Sequence, residues 1–375
     1  MSHKLRVGLI FGGKSGEHEV SLASAQSVAR AIDRTQYDVV MIGVTKDGRW
    51  LAGDHVLQQL ASISPTPLLG KCDEPMNGKS SIGNGKPLMS AMSAALDQSS
   101  PLMSIDVAFP LIHGPFGEDG TVQGLLELAD VPYVGAGVAA SAVGMDKALM
   151  KAVFRANGLP IVGWMMVLRR DWEARPEEMI HRIEKAFGYP CFIKPANLGS
   201  SVGVTKANNW DELAQALTTA AQYDRKLIAE RAVDAREIEC SVLGNDEPIA
   251  SIPGEVIPQR AFYDYAAKYD DAAGTQLIVP ANLSVELTHQ IQTLAVRAFQ
   301  AIDASGLARV DFFVERNTNT IFVNEINTIP GFTSVSMYPR MWENTGLSYP
   351  TLIDRLIHLA IERHTDKRKS KTMCR

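Results

Sequence analysis

At 375 residues the chain is long enough for two or three domains and for a large core that needs no staples. With 46% hydrophobic residues, 21% charged residues and a net charge of −5, it has an ordinary globular balance and no global attraction to nucleic acid or membrane, so any basic site must be local. Cys72, Cys191, Cys240 and Cys374 lie far apart without a CxxC pair, which argues against zinc and disulfide frameworks; with no apolar run long enough for a signal or a membrane span, a cytoplasmic protein is expected.

In chain order, Leu5 to Phe11 reads as a buried strand, Ser21 to Ala31 as a helix, and Asp38 to Val44 and Ile105 to Leu111 as further strands. Strand, helix, strand implies a parallel sheet with crossover helices. Between Ser62 and Ser100 the composition shifts to Ser, Pro, Gly and Lys, an irregular insertion to which no chemistry is assigned. A second α/β unit opens near Gly135, with a helix from Asp146 to Ala156, a strand from Pro190 to Lys194, a helix from Asp211 to Ala221 and a closing strand from Leu227 to Glu230. A third holds a strand from Glu237 to Leu243, a loop around Phe262, a helix from Leu287 to Ile302, a hairpin and a last helix to about Arg363. The basic tail after His364 reads as a frayed terminus.

The hairpin carries the clearest chemistry. Ala308-Arg309-Val310-Asp311-Phe312-Phe313-Val314 turns at Asn317-Thr318-Asn319 and returns as Ile321 to Asn327. Strand alternation puts Arg309 and Asp311 on one face of the first strand, and Glu325 and Asn327 on one face of the second. Acids are depleted in strands, and here they interrupt buried-type segments. Their hard oxygens suit Mg²⁺, which is usually held by a few protein oxygens plus substrate phosphates. A polar edge strand is the plainer alternative.

Two glycine-rich segments point to phosphate or to a small polar ligand. Gly8 to Ser15 matches the Walker A string, but Leu9-Ile10-Phe11 completes a strand and leaves too short a loop to encircle a triphosphate. The following Gly16-Glu17-His18 places Glu17 beyond the carboxyl end of a parallel strand, where an ionised carboxylate could hold an ammonium group or merely meet a helix dipole. Phe192-Ile193-Lys194 leads into Leu198-Gly199-Ser200-Ser201-Val202-Gly203, a strand-terminal lysine beside a small, hydroxyl-rich hairpin able to close over phosphates. Lys147 opens the helix of the same unit.

Taken together, Gly12 to Leu22, His113-Gly114-Pro115-Phe116-Gly117-Glu118-Asp119-Gly120, Met145-Asp146-Lys147, Lys194 to Gly203 and Asn324 to Thr333 resemble the D-alanine:D-alanine ligase family of the ATP-grasp superfamily. The likeness covers nearly the whole chain, and its specificity lies in the order and number of motifs.

The resemblance implies a Rossmann-like domain (1–136), a central ATP-grasp subdomain (137–230), a C-terminal ATP-grasp subdomain with the metal site and lid (231–364) and a basic tail (365–375). It implies phosphorylation of one D-alanine by ATP and attack on the D-alanyl phosphate by the amine of a second, giving the dipeptide of peptidoglycan. Glu17 would hold the first ammonium in a trio with Ser200 and Tyr269, with His113 near the first carboxylate. Lys147, Lys194 and Ser201 would contact ATP phosphates, Glu230 and the Val233 backbone would read adenine, and Glu237 would take the ribose. Asp311, Glu325 and Asn327 would bind two Mg²⁺, for which Mn²⁺ could substitute. Ser336 and Met337 would hold the second substrate's carboxylate. A homodimer is implied too, and no nucleic-acid partner.

Chemistry supports these roles independently. Phosphorylation turns an oxide leaving group into phosphate, and the transfer needs positioning and charge neutralisation. Arg309 and the Gly331 backbone N–H can hold the tetrahedral oxyanion, glycine allowing close approach. The aromatic segment Phe262 to Tyr269 resembles the family's lid, whose closure would exclude water and bring Lys268 to the γ-phosphate. Tyr269 looks like the dipeptide-forming type, whereas Pro115-Phe116 and Ser336-Met337-Tyr338 are bulkier than expected. A P-loop NTPase or a non-catalytic amino-acid binder remains the competing class. Phosphate release that depends on D-alanine separates them.

Overall fold

The computed structural model describes residues 4–53, 55–63, 104–257 and 275–371. Most of the Ser62 to Ser100 insertion and the lid with Lys268 and Tyr269 lie outside the described residues, as do Cys72 and Cys374.

The first sheet comprises β1 (Leu5–Gly12), β2 (Tyr37–Val44), β3 (Trp50–Ala52) and β4 (Val107–Pro110) in the order β3-β2-β1-β4. β1 is parallel to both β2 and β4, as the alternation predicts, and β3 is an antiparallel edge. Helices α1 (His18–Ala31), α2 (Val56–Ile63) and α3 (Thr121–Leu128) belong to this unit. Gly8 to Gly12 lie inside β1, so the Walker string forms no phosphate loop. The chain turns at Gly12, where φ is +91° and a Cβ would lie 2.2 Å from the Val44 carbonyl oxygen.

Next come α4 (Val138–Met145) and α5 (Lys147–Ala156). Asp146 starts α5 by accepting the N–H groups of Ala148 and Leu149 at 3.0 and 3.2 Å, and it pairs with Lys226. Cap and buried ion pair act through one carboxylate. Asp146→Ala is therefore expected to lower the unfolding free energy by about 3 kcal/mol; an unchanged urea titration would show that neither contact matters.

The second sheet holds β5 (Trp164–Leu168), β6 (Cys191–Pro195), β7 (Thr205–Ala207) and β8 (Lys226–Arg231) in the order β5-β8-β6-β7, with every pairing antiparallel. Helices α6 (Arg169–Ala174), α7 (Pro176–Phe187) and α8 (Trp210–Tyr223) accompany it. Cys191, Ile193, Leu227 and Ala229 pack with Ile183, Leu213 and Leu217 of α7 and α8. Strand alternation therefore turns Lys194 and Glu230 to the opposite face.

The third sheet runs β12 (Gln276–Ile278), β11 (Gly254–Ile257), β9 (Ala235–Gly244), β13 (Gly306–Glu315), β14 (Ile321–Asn327), with β10 (Ile249–Ala250) on β9. Helix α9 (Val285–Ala301) packs Ile291, Ala295 and Phe299 against Ile238, Cys240, Val310 and Phe312. The polar residues between these fall on the other face. Helices α10 (Met337–Asn344) and α11 (Tyr349–Lys367) follow.

The last helix runs about one turn past its expected end near Arg363, so the first residues of the tail are helical. It continues to Lys367, which pairs with Glu127, while His364 Nε2 meets Asp130 at 3.0 Å. Leu352, Leu356 and Ile357 pack into the core of the first sheet with Val7, Leu9 and Phe109. Among the described residues no helix is long and apolar enough to cross a membrane.

Candidate active site

The three sheets converge on a cavity of about 210 Å³, a size for small zwitterions. Glu17, His113, Lys147, Ser200, Arg309, Glu325, Asn327, Gly331, Ser336 and Met337 all line it, although they come from every part of the chain. Asp311, Lys194, Ser201, Glu230, Val233 and Glu237 are not among its lining residues.

Glu17 stands just before α1 and accepts a short hydrogen bond from the Ser200 hydroxyl. Gly114 makes room for it: with φ at +74°, a Cβ there would lie 2.7 Å from Glu17 Oε2. Ser15 Oγ donates to the His113 carbonyl at 2.6 Å, so the loop after β1, the His113 loop and the serine loop meet at one carboxylate. Ser200 and Ser201 have φ of +50° and +58°, a left-handed backbone that ordinary residues adopt under constraint, often at functional sites.

His113 is buried, with Nδ1 2.9 Å from the Ile329 carbonyl and Nε2 3.0 Å from Ser24 Oγ. Glu118 Oε1 is 3.7 Å from the same Nδ1. Burial alone would push the imidazole pKa down; Glu118, Glu17 and the Ile329 carbonyl together raise it. Phe116, one source of the unexpected bulk, is half exposed and faces the Lys14 ammonium at 5.8 Å from its ring centre, so it does not fill the cavity.

The polar face of the third sheet is a grid. Glu239, Asp311 and Glu325 pair across β9, β13 and β14, and Ser241, Arg309 and Asn327 form the neighbouring row. Arg309 donates to both oxygens of Asp311 at 2.6 and 2.7 Å and approaches Glu239 at 3.2 Å. Burial opposes its charge, but Asp311, Glu239 and Glu325 hold its pKa well above the usual value. The register shifts by one residue at Asn324, because Phe312 pairs with Val323 while Asp311 pairs with Glu325. That bulge has a consequence for aim: Ile321 and Val323 point to the core, yet Glu325 and Asn327 line the cavity.

These residues fit a hard divalent cation, since Asp311, Glu325 and Asn327 offer only oxygen from adjacent positions. Among the described residues no three acidic, histidine or cysteine side chains converge as a metal cage. A cation here would complete its shell with substrate and water oxygens.

Lys147 donates to the Leu198 carbonyl at 2.8 Å and lies 3.6 Å from Glu325, joining the serine loop to the acidic row. Lys194 pairs with Glu230 at 2.6 Å, and Lys151 takes the other Glu230 oxygen at 2.8 Å. Burial would raise the Glu230 pKa, but the two ammonium groups bring it down to about 2. Gly331 allows close packing of its loop, where a Cβ would meet Ser336 Oγ at 3.3 Å. Ser336 Oγ in turn accepts the Thr333 N–H at 3.1 Å.

Sequence reasoning overlooked Glu118, Glu239 and Lys151. Glu118 stood inside the His113 motif, Glu239 alternates with Glu237 in an apolar strand, and Lys151 interrupts the apolar stripe of α5.

The family model described as D-ala D-ala ligase N-terminus matches residues 6–136, and that described as D-ala D-ala ligase C-terminus matches 153–358. A D-alanine--D-alanine ligase of Heliobacterium modesticaldum is 48% identical over 98% of this chain and 98% of its own length. Among solved structures, the D-alanine-D-alanine ligase of Coxiella burnetii superposes with a TM-score of 0.80 at 38% identity, covering 98% of this chain and 97% of that one. The VanG D-Ala:D-Ser ligase of Enterococcus faecalis gives 0.78 at 33% identity, covering 96% and 100%.

Proposed function

The chain belongs to the D-alanine--D-alanine ligase family, and on that premise we propose the following assignment of its residues to the family's reaction. The chain has the ATP-grasp fold and is an ADP-forming ligase that joins two D-alanines into D-alanyl-D-alanine for peptidoglycan, at the expense of ATP.

Glu17, steadied by Ser200, receives the ammonium of the first D-alanine, and His113 faces its carboxylate. Tyr269 completes that trio. Lys147, Lys194, Ser201 and Lys268 hold the phosphates of ATP, Glu230 and the Val233 backbone read adenine, and Glu237 takes the ribose. Two Mg²⁺ ions, or Mn²⁺, held by Asp311, Glu325 and Asn327 would neutralise charge on the transferring phosphoryl group. The amine of the second D-alanine, its carboxylate at Ser336 and Met337, attacks the D-alanyl phosphate. The developing oxyanion is met by the Arg309 guanidinium and the Gly331 N–H, and phosphate leaves. Domain limits of 1–136, 137–230, 231–364 and 365–375, a homodimer and a cytoplasmic location belong to the same proposal.

The observation that carries it is the meeting of Glu17, Arg309 and Glu325 around one small cavity. One carboxylate suits an ammonium, one guanidinium an oxyanion and one acidic row a cation-bound phosphate. The test is mass spectrometry of products from ATP, Mg²⁺ and D-alanine, with D-serine or D-lactate added in parallel. D-alanyl-D-alanine as the main product, with phosphate released only when D-alanine is present, is expected. Nucleotide hydrolysis indifferent to D-alanine would refute the assignment, and a dominant mixed product would move the acceptor.

A further inference from the structure

Helix α5 presents Lys147 and Lys151 one turn apart, and only Lys147 has a role so far. Lys151 lies deeper, 1% exposed, and a buried ammonium persists only with partners. It has two, at 2.8 Å from Glu230 Oε1 and 3.2 Å from the Asn324 carbonyl oxygen. The first carboxylate is the one whose other oxygen holds Lys194 at 2.6 Å. The second contact falls on the extra residue of the β14 bulge, which aims Glu325 into the cavity.

We propose that Lys151 is a positioning residue of the phosphoryl-transfer centre, one ammonium setting both the Glu230–Lys194 pair at the base end of ATP and the bulge that directs Glu325 at the phosphate end. The proposal rests on the reading of Glu230 and Lys194 given above. Each carboxylate oxygen has two lone-pair directions, so a Glu230 clamped from both sides still has a fixed acceptor for the 6-amino group of adenine. Without Lys151, Glu230 has Lys194 as its remaining close counter-ion and draws it from the phosphates. The Asn324 carbonyl also loses its donor. Guanine carries an oxo group at that position and offers the carboxylate no proton, so the ratio of ATP to GTP reports how firmly Glu230 is held.

The experiment compares Lys151→Met and Glu230→Gln with wild type, by steady-state kinetics and by calorimetric binding of ATP and GTP without D-alanine. Lys151→Met is expected to raise the ATP KM about tenfold, to reduce the ATP preference over GTP about tenfold, and to leave the D-alanine KM within about twofold. If the methionine variant does not fold, Lys151→Gln, which keeps a donor for Asn324 but no charge, carries the same comparison. Normal ATP affinity and base preference in the Lys151 variant, with preference lost in Glu230→Gln, would overturn the role of Lys151 and leave the Glu230 reading intact. Preference unchanged in both would overturn that reading and the proposal with it. An equal rise in both KM values would reduce Lys151 to general support and also defeat it.

Discussion

Arg309→Met is expected to lower kcat about a thousandfold, through loss of the proposed oxyanion donor. The guanidinium is held from below by both Asp311 oxygens and flanked by Glu239, so it is oriented before substrate arrives. Removing it also leaves the buried Glu239 and the partly buried Asp311 short of positive charge, a loss of about 3 kcal/mol of stability. Arg309→Lys separates the effects: it restores charge without the two-pronged geometry, so stability should recover more than rate. Phosphoryl transfer to the first D-alanine precedes the oxyanion. Isotope scrambling between the β,γ-bridging oxygen of ATP and the non-bridging oxygens of its β-phosphate should therefore survive in Arg309→Met while dipeptide synthesis fails. A variant that makes dipeptide at nearly the normal rate would remove Arg309 from the second step.

Glu325→Gln is expected to reduce turnover by about a thousandfold or more, with no recovery at saturating Mg²⁺, because an amide oxygen is a far weaker ligand for a hard cation than a carboxylate. Asp311→Asn should match it, with a second signature. Arg309 then loses its bidentate partner and turns toward Glu239, so D-alanine affinity should move as well as metal dependence. Near-normal rates of either variant in high Mg²⁺ would sink the metal assignment. Calorimetric titration of Mn²⁺ into the protein checks the same point without turnover.

How much of this was legible in the sequence depends on which interaction decided each feature. The hairpin could be read because acids interrupt strands that are otherwise apolar, and its rows pair as alternation requires. The aim of Glu325 could not. Counting by twos from Ile321 and Val323 puts it in the core, and only pairing with β13 reveals the extra residue at Asn324. Helix α7 was spelled out by Pro176, the acids Glu177 and Glu178, and the spacing of Met179, Ile180 and Ile183, and was overlooked. The antiparallel order of the second sheet was beyond reach, since strand direction is settled by contacts distant in sequence. Lys151 shows the same limit. A lysine on a buried stripe is visible as an anomaly, but its partners Glu230 and Asn324 lie on two other elements.

Helix α11 packs Leu352, Leu356 and Ile357 against the strands that begin the chain, and Asp354 accepts the Tyr37 hydroxyl at 2.5 Å. Synthesis from the amino terminus therefore delivers the first sheet long before the helix that covers it. Val7, Leu9 and Phe109 stay without that cover until residues 349–360 leave the ribosome, so the first sheet is sealed late in synthesis. A chain stopped short of α11 would leave that apolar face open to solvent, so truncation before Tyr349 should destabilise the sheet furthest from it in sequence.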